Sequence, residues 1–189
     1  MKYSKGFMEY FRSEKCFTHD DARRFLMKNG ASSAYSSVFV RNMLSSSRMR
    51  RIRKGVYTFS GDEAVAGFAF SPFYYGLQYA LTVRRLWTQV SSPVVITTTK
   101  AVPGVRESMG VRITVRRISK DMFFGFEYVR YSGLFVPVSN LEKTLVDMVY
   151  YGIGLGNSEV RELVKKANRA RLREYAKRAG IGTKWFGRP

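Results

Sequence analysis

Over the first third of the chain apolar residues recur three and four positions apart, and beyond about residue 90 they alternate with polar ones. Tyr3, Phe7, Tyr10 and Phe11 share one face of a helix spanning 3–12. In FTHDDARRFLMKNG, Thr18 is a helix N-cap with Asp21 completing a capping box, Ala22, Phe25 and Leu26 form a buried face, and Gly30 ends the element. A third helix is expected from Ser32 or Ser33. At 100° per residue it places Phe39, Val40, Met43 and Leu44, with Ser36 between them, on one side. Ser37, Val38, Arg41 and Asn42 fall on the other. SSSRM then breaks the helix, and RRIRKGVYTF reads as a hairpin turning at Lys54–Gly55. In that register Arg53 faces Val56 and Ile52 faces Tyr57. Ile52, Tyr57 and Phe59 then point inward, while Arg48, Arg50, Arg51, Arg53 and Lys54 crowd the outer ribbon. Three helices followed by such a hairpin describe an N-terminal winged helix-turn-helix.

Residues 61–70 read as a short connection. Ser71 and Pro72 open a helix running to about Leu86 that is apolar nearly all round and therefore buried. Strands are expected at 93–99, 111–117, 122–131 and 134–138, with KAVPGVRESMG as a loop. Ser139 with Glu142 forms a second capping box, opening a helix that buries Leu141, Leu145, Met148 and Val149. A flexible hinge at 152–157 then leads to a basic helix over 158–179, broken near Asn168. The fold class expected is α+β: a winged helix-turn-helix over 1–60, a mixed α/β domain over 61–152 and a basic helical tail over 153–189.

Charge gives this layout a chemical meaning. The chain carries 33 Lys and Arg against 14 Asp and Glu, a net +19 in 189 residues. Residues 1–60 hold 13 basic and 4 acidic side chains, 61–152 hold 10 and 7, and 153–189 hold 10 and 3. Basicity at both ends of the chain points to a polyanionic partner, nucleic acid ahead of membrane. Cys16 is the single cysteine, so there is no intramolecular disulfide and no multi-cysteine zinc site. With neither a signal-peptide core nor a membrane-length apolar run, a soluble cytoplasmic protein is expected. For double-stranded DNA, Ser37, Arg41 and Asn42 are the candidate base readers. Arg48, Arg50, Arg51, Arg53 and Lys54 are the candidate backbone contacts.

Four phrases in order, the basic run into RKGVYTF, then SPFYYGLQYAL, VVITTT and VPVSNLEKTLVDMVYYG, resemble the AbiEi-type antitoxins of type IV toxin-antitoxin and phage-defence operons. The likeness covers roughly residues 18–152. It implies a repressor that binds its own operator and a C-terminal domain that neutralises a nucleotidyltransferase-like toxin. It also aligns Glu142, Lys143 and Asp147 with family positions of structural character. The short basic segment after Gly152 departs from the larger members of the family.

Two other readings compete. A metal-dependent nuclease would draw on Asp121, Glu127, Glu142 and Asp147, and an RNA- or ribosome-associated protein would use Arg161 to Arg178. The lone His19, beside Asp20 and Asp21, reads as part of a helix cap, and no phosphate-binding glycine loop occurs. No catalytic residue, metal or cofactor is expected.

Overall fold

Phe7 is wholly buried, and its ring lies 4.8 Å from Phe11, 5.6 Å from Phe17, 5.5 Å from Phe25, 5.0 Å from Phe39 and 6.0 Å from Phe59, centroid to centroid. Around this cluster the computed structural model, which describes residues 2–154 and 156–182, assembles the first of two compact units. That unit takes the chain up to Ala69 together with Glu107–Val111. Its elements run α1 (Ser4–Phe11), β1 (Phe17–Thr18), α2 (His19–Lys28), α3 (Ser33–Ser45), β2 (Arg50–Arg53) and β3 (Val56–Thr58). The strands form an antiparallel sheet in the order β1-β3-β2.

The local signals behave as their chemistry requires. Thr18 Oγ1 accepts from the Asp21 amide at 3.1 Å, and Asp21 Oδ2 accepts from the Thr18 amide at 2.9 Å, closing the capping box. Hydrogen bonds from Thr18 hold the Asp21 carboxyl below its ordinary range. Gly30, at φ +88°, lets the chain leave α2, and Ser32 caps α3 by accepting from the Tyr35 amide at 3.2 Å. In the hairpin Arg53 does face Val56, but the register shifts between Arg51 and Arg53, so Tyr57 faces Arg51 instead of Ile52. The shift lets Ile52 stay buried while Arg50, Arg51 and Arg53 all remain outside. The expected connection at 61–70 is a 3-10 helix, Glu63–Phe70. Its Ala64, Val65 and Ala66 are fully buried, so the unit continues past residue 60.

Apart from Glu107–Val111, the end of β6 and start of β7 that the first unit takes, the remaining elements belong to the second unit: β4 (Phe73–Tyr75), α4 (Leu77–Val83), β5 (Val94–Thr97), β6 (Gly104–Ser108), β7 (Val111–Arg117), β8 (Phe126–Tyr131), β9 (Leu134–Ser139), α5 (Leu141–Tyr150), α6 (Asn157–Lys166) and α7 (Arg169–Arg178). The sheet order is β6-β7-β5-β4-β9-β8, with β4 parallel to β9, β5 parallel to β7 and β8 antiparallel to β9. The whole chain is thus a mixed α+β structure.

Three expectations here are corrected. Phe73–Tyr75 is not the start of a helix but a strand between β5 and β9, buried on both faces, where an unbroken apolar run is what a central strand needs. Gly76 lies between it and α4 as the helix N-cap, at a position where a Cβ would lie 2.4 Å from Ile96 Cδ1. KAVPGVRESMG is not all loop: β6 and β7 join through Met109 and Gly110, both at positive φ, a two-residue hairpin turn. The cap of α5 is Asn140, whose Oδ1 accepts from the Lys143 amide at 2.9 Å, while Ser139 ends β9 with its hydroxyl 2.7 Å from that of Thr144. The break at Asn168 is where expected, and both C-terminal helices pack within the second unit. The expected hinge includes Leu155, and the tail ends in 183–189, all outside the described residues. Among the described residues no helix is long and apolar enough to cross a membrane.

Removing the central ring tests this architecture. Phe7→Ala is expected to destabilise the first unit by about 3–5 kcal/mol, read from denaturant midpoints. Val38→Ala, on the exposed side of α3, is expected to stay within about 0.5 kcal/mol of the parent.

Candidate nucleic-acid interface

Serines make α3 a weak helix on propensity alone, so its orientation comes from docking. Phe39, Val40, Met43 and Ser36 are buried, and this anchors one side. Ser37, Arg41 and Asn42 are consequently exposed, as the 100° period predicts, together with Val38 at 41% exposure. Val38 belongs with the candidate contacts, because an exposed apolar side chain among polar ones suits a thymine methyl group.

His19 links this face to the hairpin. Its Nε2 lies 3.5 Å from Ser37 Oγ, its amide donates to the Gly55 carbonyl at 2.9 Å, and its ring faces Tyr57 at 6.4 Å. The helix-cap reading of His19 missed this, because Ser37 and Gly55 lie 18 and 36 residues away in sequence. Ser37 and the Lys54–Gly55 turn are therefore brought together. Arg50 sits at the opposite end of β2, about 10 Å from Arg53 at 3.3 Å per residue, so the cations are spread along the strand. Between helix and ribbon, Met49 is 2% exposed, and this hidden anchor leaves Arg48 and Arg50 in solvent on either side.

The field of this surface is one-sided. Residues 22–61 contain nine Lys and Arg and no carboxylate. Arg23 and Arg24 are paired with Asp20 and Asp21 at 3.6 and 3.9 Å. Among the described residues no ion pair reaches Arg41, Arg48, Arg51 or Lys54. Two of the expected ribbon contacts have work within their own unit: Arg53 Nε donates to the Ala69 carbonyl at 2.9 Å and Arg50 reaches the Gly61 carbonyl at 3.4 Å. Arg53 in particular has less freedom than the sequence implied.

The acidic candidates of the second unit are dispersed. Among the described residues no three His, Cys, Asp or Glu side chains cluster in a way that could hold a metal ion. Glu127 pairs with Arg84 at 2.9 Å, and Glu142 accepts from the Asn168 amide at 2.7 Å and lies 3.7 Å from Arg171. Asp147, fully buried, accepts from Lys143 Nζ at 2.5 Å and from the Tyr74 hydroxyl at 2.8 Å. Burial pushes the Asp147 carboxyl up to about 6 against the pull of the Lys143 ammonium, and burial lowers Lys143. Burial and the neighbouring Asp147 carboxylate push the Tyr74 hydroxyl well above its ordinary range. This trio ties α5 to the central strand β4.

No protein-family model matches the sequence, and a search of curated proteins returns no match.

The buried trio has a sharp mutational signature. Asp147→Ala leaves the Lys143 ammonium buried without its partner and is expected to cost about 3–5 kcal/mol. Replacing the pair with apolar residues, Lys143→Met with Asp147→Leu, is expected to recover most of that loss, as read by thermal unfolding.

Proposed function

We propose that the first unit is a winged helix-turn-helix that binds duplex DNA, with α3 in the major groove and the β2–β3 hairpin as a wing on the backbone. The protein would then act as a transcriptional repressor at the operator of its own operon. The single observation that carries this reading is the division of α3. Its apolar side is held in the aromatic core, while Ser37, Val38, Arg41 and Asn42 face solvent, and among the described residues no ion pair reaches Arg48, Arg51 or Lys54 of the following basic run. A hydroxyl, an amide and a guanidinium on one helical face can hydrogen-bond base edges, and unpaired cations on a ribbon suit phosphates. The order of helices and strands, with a short turn between α2 and α3, supports the same docking geometry.

The second unit carries the antitoxin part of the proposal, which rests on the resemblance of its phrases. SPFYYGLQYAL spans β4 and the start of α4, VVITTT spans β5, and VPVSNLEKTLVDMVYYG spans β9 and α5. We infer a domain that neutralises a nucleotidyltransferase-like toxin, tested by growth rescue when the chain is co-expressed with the product of the adjacent gene.

Salt dependence tests the DNA reading. If Arg48, Arg50, Arg51 and Lys54 each neutralise a phosphate, these contacts should contribute a slope of about −3.6 to log K against log salt, and raising salt from about 50 to 200 mM should lower affinity about 150-fold through them. Arg41→Ala is expected to cost about 1–3 kcal/mol on the DNA upstream of the gene and to relax sequence preference. Arg51→Ala should weaken every duplex alike and reduce the slope by about 1. Gel shifts across a salt series read both, and equal affinity for structured RNA would favour the RNA-binding alternative.

A further inference from the structure

The ten residues of α7, RARLREYAKR, carry five cations and one carboxylate, and the structure sorts those cations into two sets. Arg171 lies 3.7 Å from Glu142, and Arg178 stacks on Phe124 at 3.9 Å while its Nε donates to the Asp121 carbonyl at 3.2 Å. These two are tied to the fold of the second unit. Arg169, Arg173 and Lys177 are exposed, and among the described residues no ion pair reaches any of them. They stand at i, i+4 and i+8 and form one row along the helix, about 6 Å apart in rise. Like charges at that spacing weaken a helix. Leu172 and Ala176, both buried, fix which way the row faces.

We propose that this row is a second DNA-contacting surface that binds consecutive phosphates along one strand of a duplex. The residues around it narrow the choice of polyanion. None of the exposed large apolar residues of the described chain lies on α6 or α7. A protein partner would need aromatic or aliphatic anchors at the centre of its interface, and a membrane-surface helix would need an apolar face to insert. A row of cations without apolar neighbours, at a near-constant spacing, instead matches a regular chain of phosphates, where binding is driven by release of condensed counterions. The inference rests on the first unit's being a DNA binder, because a duplex already held by the same chain is presented to α7 at high effective concentration.

Five full-length proteins distinguish the two surfaces: the parent, a row variant (Arg169→Gln, Arg173→Gln, Lys177→Gln), a first-unit variant (Arg41→Gln, Arg48→Gln, Arg51→Gln, Lys54→Gln), the two sets combined, and a charge-matched control (Lys100→Gln, Lys120→Gln, Arg130→Gln) that removes exposed cations elsewhere in the second unit. Anisotropy of a labelled duplex of arbitrary sequence is measured against salt, with thermal midpoints confirming that each variant is folded. The row variant is expected to reduce the magnitude of the salt slope by about 2.7, at about 0.9 per phosphate, and the control to change it by much less. The first-unit variant should retain weak low-salt binding that disappears when the row substitutions are added. The proposal is overturned if the row variant keeps the parent's slope, or if the control reduces it as much. A parent that binds duplex with the row irrelevant leaves the first-unit reading standing, whereas a parent that binds no duplex ends both.

Discussion

Everything proposed for the first unit depends on the packing of aromatic rings about Phe7. Rings from α1, β1, α2, α3 and the end of the hairpin converge there, and α3, rich in serine, has little intrinsic reason to hold its shape or its orientation alone. Phe39 in the cluster decides which way the helix faces. Once that is decided, Arg41 and Asn42 are outside by geometry. The hairpin obeys the same constraint through Ile52 and Tyr57, whose burial turns the arginines between and beside them toward solvent. The exposed polar and basic side chains are thus arranged by the apolar residues that oppose them.

The second unit is organised differently, around a polar contact inside an apolar core. Lys143 and Asp147 are one helical turn apart, so α5 alone can bring them together, and the hydroxyl of Tyr74 fixes that pair against the sheet. The cost of burying two charges is offset only while all three partners are present, which ties the position of α5 to β4. The same phrases that carry the family resemblance contribute these residues. Likeness located in a core speaks first to architecture, and the activity of such a domain lies in what its surface presents. Its helix α7 presents three cations that no ion pair reaches among the described residues.

Elements with local signals were legible in the sequence. Thr18 with Asp21 and Ser32 mark helix starts through contacts three residues away, and the strand over 111–117 follows from strict alternation. Elements whose identity depends on distant partners were not. Phe73–Tyr75 has a helix-like apolar run and is a strand because β5 and β9 flank it, and the one-residue displacement of the α5 cap arises because Ser139 is held in β9. At the candidate interface the exposed face of α3 was read correctly from its period. The engagement of Arg53 by Ala69 and the approach of His19 to Ser37 were not, since each joins residues more than 15 positions apart.

The outward face of α3 and the adjoining hairpin are the proposed DNA interface. Hydrogen-exchange mass spectrometry of the full chain, with and without the duplex upstream of its gene, tests it most directly. New protection is expected over 33–45 and 50–58 while the buried strand β5 is unchanged. Binding of that duplex with no added protection in either segment would contradict it.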